Sequence, residues 1–419
     1  MIYITGDTHR DFDRIRQFCL EKGTTRNDVT IILGDAGINE QNPMRDRMLK
    51  EDLAGLPATL FCVYGNHEQR PERLPGYHPA PWRGGQVYVE DDFPNLLFAR
   101  DGELYDLDGI RAIVIGGAYS VDKMLRIARG LGWWPDEQPS PEIRARVEAK
   151  LAALNWKVDV VLSHTVPLKY EPTEVFLPGL DQSRVDKSTE TWLDDIESQL
   201  DYRGWFAGHY HTEKTVRRLR IMFENIEPFR LPEIKPPANI VVTGFEPFGG
   251  ATVNASWEAV KTLDDVRREL LPVTFEGAAE RVRALAAEGP DAIICVGEAG
   301  GRSAISLERV AVNLMDARIP DNAGFQPENV PALPGGPQSY FSTLPLGRML
   351  GALRQARVPA GLSMSAGSYV CNSIFYALMD ALAAGGNRTI GGFIHVPARG
   401  MSPARIAKGL RAALDALRA

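Results

Sequence analysis

Leu231-Pro232-Glu233-Ile234-Lys235-Pro236-Pro237-Ala238-Asn239 divides this chain in two. Its three prolines within six residues can neither continue a helix nor sit in a central strand, because each lacks an amide donor and fixes φ. Directly after it, Ile240-Val241-Val242-Thr243-Gly244-Phe245 reads as a first strand running into a glycine turn. The start of the chain, Met1-Ile2-Tyr3-Ile4-Thr5-Gly6-Asp7, has the same form, so one chain begins twice. The boundaries read from this are a domain over 1–231, a proline-rich linker over 232–238 and a second domain over 239–419. A short proline-rich linker is semi-rigid, which predicts a fairly fixed relative placement of two separate sites.

Composition narrows the class. The 419 residues suit two or three domains, and 44% hydrophobic with 24% charged residues describes an ordinary globular protein. No apolar run approaches the ~20 residues of a membrane span. Met1 leads straight into a strand with no basic and apolar leader, so the expectation is a cytoplasmic enzyme. Cys19, Cys62, Cys295 and Cys371 are scattered without a CxxC pair, which indicates neither a disulfide framework nor a cysteine zinc site. Residues 1–232 carry 29 basic and 37 acidic side chains and the remainder 18 and 17. Neither half is therefore a basic nucleic-acid footprint. Arg217-Arg218-Leu219-Arg220 reads as a solvated strand face.

The first half repeats one pattern, an apolar strand, a polar turn and a helix. Ile2–Thr5 ends in Gly6-Asp7-Thr8-His9, Val29–Leu33 in Gly34-Asp35-Ala36-Gly37, and Thr59–Tyr64 in Gly65-Asn66-His67-Glu68. Further on, Val158–Leu162 ends in Ser163-His164 and Trp205–Ala207 in Gly208-His209-Tyr210-His211. Alternation of this kind predicts an α/β sheet with ligands at the carboxyl ends of its strands. Five of the seven histidines fall in these motifs and a sixth, His395, in a motif of the second half; His78 reads as a loop residue. Asp7, His9, Asp35, Asn66, His164, His209 and His211, with His67 alongside, form a set of carboxylate, amide and imidazole donors of the kind a divalent transition metal uses. They are too many for one ion and suit two, with one carboxylate bridging. The glycines before Asp7, Asp35, Asn66 and His209 are expected to allow tight turns. Tyr119-Ser120-Val121-Asp122-Lys123 and Trp133-Trp134 are expected in loops over the cleft.

The ordered set GDTH, GDAG, GNHE, SH and GHYH resembles the calcineurin-like metallophosphoesterases over residues 1 to about 230. The resemblance implies an α/β/β/α sandwich and a site for two divalent ions of the Mn, Fe or Zn kind. It implies that Asp7, His9, Asp35 and His211 bind one ion, and Asp35, Asn66, His164 and His209 the other. His67 matches the family histidine that assists the leaving oxygen. GDAG followed by Ile38-Asn39 departs from the GDxxDRG form of protein phosphatases, which disfavours a phosphoprotein substrate.

In the second half, Gly244-Phe245-Glu246-Pro247-Phe248-Gly249-Gly250 lacks both GxGxxG spacing and a Walker lysine. Its two phenylalanines suit either a small apolar pocket or plain packing. Cys371 opens a helix, where the macrodipole favours thiolate. His395 ends the next strand and could serve as its base, with Glu308 orienting the imidazole. VTGFEPFGG, GEAGGR, ERVAVN, DARIPDN, SAGSYVCN and FIHVPA together resemble pyroglutamyl peptidase I, the pyrrolidone-carboxylate peptidases, over about 239–419. The resemblance implies a three-layer α/β fold and a triad of Glu308, Cys371 and His395. Phe245 and Phe248 match the residues that hold the pyrrolidone ring, and Arg318 an arginine proposed to help the oxyanion. Glu298 stands where many relatives carry an uncharged residue, and a carboxylate facing the pocket would alter lactam recognition. The resemblance also leaves a homo-oligomer open.

Two hydrolytic functions are thus expected of one chain: phosphoester hydrolysis, and removal of N-terminal pyroglutamate from peptides without a cofactor. The alternative is one active half with the other as a binding or regulatory module. Gaps in neither residue set favour the first reading.

Overall fold

A computed structural model describes residues 1–40, 42–176, 179, 181–232, 236–385 and 389–418. The chain folds as two compact units, Met1–Ile234 and Lys235–Ala419. Residues 233–235 of the expected linker lie outside the described residues. Among the described residues no helix is long and apolar enough to cross a membrane.

In the first unit, strands Ile2–Thr5, Val29–Ile32, Thr59–Cys62 and Leu96–Ala99 run parallel at the centre of a seven-stranded sheet. A second, six-stranded sheet has Leu219–Ile221, Gly204–Ala207, Val160–Ser163 and Ile110–Ile115 parallel at its centre. Neighbouring residues point to opposite faces of a strand, and this builds the layers. Ile31, Phe61, Val114 and Leu162 fill the space between the sheets. Ile32 and Leu60 face outward onto helix Asp13–Lys22, and Ile113, Val161 and Trp205 onto helices Pro141–Ala153 and Ser188–Glu197. The result is the expected α/β/β/α sandwich. Sequence signals start two of its helices: Asn42 accepts from Arg45 N before Pro43–Leu53, and Ser140 accepts from Ile143 N before Pro141–Ala153, each with proline first.

His78 is not in a loop. It opens strand His78–Trp82, which pairs antiparallel with Gly85–Val89 at the sheet edge. Pro79 and Pro81 obscure that strand in the sequence, and an edge is where a sheet tolerates them. Arg83 and Gly84, with φ of 46° and 86°, make the two-residue turn. Nor is the 217–220 cluster a plain solvated face. Arg217 is left-handed in the turn before Leu219–Ile221, and Arg220 pairs with Glu213 and Glu227 at 2.8 and 2.6 Å.

The second unit is three-layered. Its six-stranded sheet runs in the order Arg267–Leu271, Ile240–Phe245, Ala292–Ala299, Ile390–Pro397, Ile305–Glu308, Ala360–Ser363. All pairs are parallel except Ile305–Glu308 against Ile390–Pro397. Ile240, Val242, Ile294 and Ile394 pack against helices Leu346–Gln355 and Pro403–Arg418 on one face. Val241, Ile293, Cys295 and Phe393 pack against Phe275–Ala287 and Val370–Ala384 on the other.

Candidate active sites

In the first unit the polar residues at the strand ends converge. The His9, His211 and Asp7 ligand atoms lie within 4.8 Å of one another, as do those of Asp7, Asp35 and His164. His67 Nε2 stands 3.9 Å from Asp35 Oδ2, and the His164 and His209 rings are edge-on at 5.0 Å. All eight sequence-derived residues are thus in one place. Asp7, Asp35, Asn66 and His164 are buried, whereas solvent reaches His9 and His211. A cavity of about 390 Å³ opens beside them, with Asn66, His67, His209, Tyr119 and Asp122 in its wall. Trp133 and Trp134 do not line it; Trp133 Nε1 donates to Glu137.

The backbone holds these side chains under strain. His9, Asp35, His209 and His211 have φ of 46°, 46°, 70° and 48°, a region that costs an L-residue about 1–2 kcal/mol. The preceding glycines act differently from expectation. Gly34 alone of the four has positive φ, at 97°. At Gly65 a Cβ would collide with Asp35 Oδ1, at Gly208 with Asp7 Oδ1, and at Gly6 with the Met222 carbonyl. These three are there for space rather than for turn freedom.

The donor set is electrostatically incomplete as it stands. His164 Nδ1 is 2.7 Å from the Leu33 carbonyl, which can only accept, so the ring proton sits on Nδ1. Nε2 of a neutral His164 then presents a lone pair to Asn66 Oδ1 at 2.8 Å. Asn66 Nδ2 donates to Ser120 Oγ at 2.9 Å, and the Ser120 hydroxyl is itself directed to the Glu137 carboxylate, which keeps the amide this way round. Two acceptors therefore face each other in a buried place. Asp7 Oδ2 is buried without a hydrogen bond, although His211 Nε2 stands 3.3 Å away and His9 Nε2 3.7 Å. Unpaired buried acceptors cost free energy that a cation would recover. Imidazole, carboxylate and amide donors suit a divalent transition ion, so the residues fit the metals implied above. Burial, opposed by nothing stronger, pushes the His209 imidazole down to about 3, keeping it neutral and available as a ligand.

In the second unit, Glu308 and His395 are buried neighbours, with His395 Nδ1 donating to Glu308 Oε1 at 2.8 Å. His395 does not end its strand. It lies inside Ile390–Pro397, between Gly297 on one side and Ser306 on the other. A Cβ on Gly297 would be 2.8 Å from Cys371 Sγ, which places the thiol against the strand position paired with His395. Cys371 is second in helix Val370–Ala384, as expected, yet its thiol is not shifted toward thiolate. Burial, reinforced by Glu308, pushes it up to about 12. Desolvation outweighs the helix end. Phe248 packs against Tyr369 at 6.1 Å, and Phe245, 2% exposed, belongs to the core cluster that Cys371 and Phe248 border. Arg318 is exposed on its loop, and no ion pair joins it to the other residues of the set among the described residues.

The family model described as calcineurin-like phosphoesterase matches residues 1–213, and that described as pyroglutamyl peptidase matches residues 238–410. The second half is 48% identical over 166 residues to the pyrrolidone-carboxylate peptidase of Thermococcus onnurineus, covering 38% of this chain and 82% of the relative. The chain belongs to both families. A pyrrolidone-carboxylate peptidase of Ralstonia nicotianae is 50% identical over 167 residues, covering 38% of this chain and 77% of the relative. The crystal structure of pyroglutamyl peptidase I from Bacillus amyloliquefaciens aligns at 40% identity and a TM-score of 0.42, covering 43% of this chain and 95% of that one.

Three residues in these sites escaped the sequence reading. In the phosphoesterase domain Glu68 is fully buried and accepts from Gly65 N at 3.0 Å and Gly37 N at 3.2 Å, bracing two ligand turns. In the peptidase domain Arg302 donates to Glu308 Oε1 at 2.5 Å and to the Ser365 carbonyl at 2.7 Å. Gly297 makes room for the thiol. Each stands inside a quoted motif, GNHE or GEAGGR, but only tertiary contacts give it a task. Glu298 Oε2 accepts from Ala255 N at 2.6 Å, at the start of helix Ala255–Val260, and its charge also acts on the Cys371 thiol. That carboxylate is occupied as a helix cap.

Proposed function

We propose that the chain is a bifunctional hydrolase, a metal-dependent phosphoesterase followed by a cysteine peptidase that removes N-terminal pyroglutamate. The facing groups Asn66 Oδ1 and His164 Nε2 carry the first half of this reading, because a cation between them would satisfy both lone pairs. Two divalent ions of the Mn, Fe or Zn kind, held by Asp7, His9, Asp35 and His211 and by Asp35, Asn66, His164 and His209, would supply positive charge to phosphate oxygens and acidify water. His67 lines the cavity beyond them and is the residue placed to hydrogen-bond the departing alcohol oxygen. Burial lowers its basicity, so the imidazole is a neutral N–H donor.

The Glu308–His395 pair beside the Cys371 thiol carries the second half. With the thiol neutral, its proton passes to His395 Nε2 as sulfur attacks the pyroglutamyl carbonyl. Glu308 holds Nδ1–H and steadies the imidazolium. His395 then returns the proton to the leaving amine, and water, deprotonated by the same nitrogen, cleaves the thioester to free pyroglutamate. Amides in the first turn of a helix have no intrahelical acceptor, and in this reading that of Cys371, second in its helix, donates to the carbonyl oxygen. Arg318 is the second donor in this reading. Phe248 and Phe245 supply the apolar wall for the flat lactam.

A chelator separates the two. Dialysis against it abolishes hydrolysis of an aryl phosphate, as does Asp35→Asn, and leaves cleavage of pyroglutamyl-coumarylamide intact; Cys371→Ser does the reverse. Phosphate release that survives both chelation and Asp35→Asn would sink the metal-site reading.

A further inference from the structure

The cavity beside the metal ligands has more carboxylates than those ligands need. Asp35, Asp122, Glu171, Asp186 and Glu190 line it, and among the described residues neither lysine nor arginine does. Three of the five are answered nearby: Glu171 by Lys187 Nζ at 2.6 Å, Asp122 by Arg126 at 3.6 Å, and Asp186 by Gln138 Nε2 and Ser188 N at 3.0 and 2.9 Å. Asp35 belongs to the metal set. Glu190 is left over. It sits in the first turn of helix Ser188–Glu197, 4% exposed. Its Oε1 accepts from Thr165 Oγ1 at 2.7 Å, while Oε2 is buried with no hydrogen bond.

A carboxyl with one buried oxygen unanswered holds its charge poorly until a cation pairs with it. Burial lifts it to about 7, with Glu171 adding to the rise and Lys187 opposing it. The charges that act on it, Glu171 in the cavity wall and Lys187 outside the lining, are not those of the metal ligands. The lining also includes Val175, Gln182, Val185, and Phe176, which stacks on Tyr210 with centroids 6.2 Å apart at 17° and already carries the Lys187 ammonium 5.0 Å from its ring centre. Apolar side chains beside a carboxylate oxygen with no donor suit a protonated amine on an apolar body.

We propose that this cavity receives the alcohol half of a phosphoester bearing a protonated amine, and that Glu190 selects it. The proposal rests on the phosphoesterase reading for what the cavity adjoins, but not for what it binds. Tyramine phosphate and its neutral analogue, 4-(2-hydroxyethyl)phenyl phosphate, release phenols of similar acidity, so their kcat/KM ratio reports the amine. The metal-loaded full chain is expected to favour the amine by about tenfold or more, the scale of one charge-assisted hydrogen bond. Glu190→Gln keeps the acceptor for Thr165 and should bring the ratio to about one. Val175→Lys, at a solvent-reached part of the wall, should lower the ratio without touching the buried carboxyl. Binding of tyramine itself, followed by calorimetry, should weaken in both variants.

The outcomes separate. Equal kcat/KM for both esters, or a preference that survives Glu190→Gln, overturns the subsite and leaves the phosphoesterase intact. Selective binding of tyramine with no turnover of either ester supports the subsite and sinks the phosphoesterase reading. Tyramine and 4-(2-hydroxyethyl)phenol binding alike to the wild type overturns the subsite.

Discussion

Gly297→Ala isolates what the peptidase site owes to empty space. Gly297 lies within strand Ala292–Ala299 and has no positive φ, so alanine meets no backbone objection there. The objection is steric: the new Cβ would stand 2.8 Å from both Cys371 Sγ and Phe393 Cζ. Ordinary contact begins near 3.5 Å, so the thiol has to move by roughly 0.7 Å. Phe393 is fully buried and cannot yield more easily than the sulfur. Overpacking of this kind costs about 1–3 kcal/mol of stability. A misplacement approaching 1 Å at a nucleophile costs on the order of 100-fold in rate. The expected result is a kcat for pyroglutamyl-coumarylamide lower by that factor, a smaller change in KM and a modestly lowered melting temperature. Aryl phosphate turnover by the same preparation serves as the control for intact protein. Hydrolysis within about threefold of wild type would refute the placement of Sγ against this strand.

Two further results follow from the same site. Arg302→Met removes one of the two donors on Glu308 Oε1, and is expected to lower kcat by about tenfold with KM nearly unchanged, because Glu308 is then free to leave the line that holds His395. Arg302→Lys should recover part of the loss; an inert Arg302→Met would mean that the contact is idle. The elevated Cys371 thiol predicts alkylation by iodoacetamide in the free enzyme that climbs about tenfold per pH unit from pH 7 to 10, since only thiolate reacts and its fraction keeps rising below a pKa of about 12. A plateau below pH 8 would show that the helix end wins over desolvation after all.

What the sequence displayed was chemistry at strand ends. Val29–Ile32 is a short apolar run closed by Gly34-Asp35, and a buried parallel strand with one polar terminus hardly has another way to look. The two faces of each sheet were legible for the same reason, since Ile31 and Ile32 are equally apolar and need cover on both sides. Arg267–Leu271 was hidden because an edge strand with one solvated side carries Arg-Arg-Glu and no apolar alternation. The His78–Trp82 hairpin was hidden by its prolines. His395 was misplaced to a strand end because Val396-Pro397 looks like a terminus, whereas the strand continues through it against Ala299. Glu68, Gly297 and Arg302 act across 3, 74 and 6 residues on groups that only folding brings near. No local pattern marks them.

The two sites reach completeness by opposite routes, and this explains why chelation should divide them. The peptidase set is held mainly by the protein itself: Arg302 and His395 both donate to Glu308 Oε1 and the thiol is held neutral until attack, although Glu308 Oε2 is buried without a hydrogen bond. The phosphoesterase set is held open. Four of its residues bear left-handed backbone, two acceptors confront each other at 2.8 Å, and Asp7 Oδ2 has no donor. Strain and lone-pair repulsion of that kind persist only where something outside the chain repays them on binding. A protein of this type should therefore gain stability in its first unit when metal is added, by RT ln(1 + [L]/Kd), while the second unit is unmoved. A scanning-calorimetry profile in which added Mn or Zn raises one transition and leaves the other fixed is the expected record. Two transitions shifting together, or neither, would mean that the strain and the confronted acceptors of the first unit are not relieved by a metal.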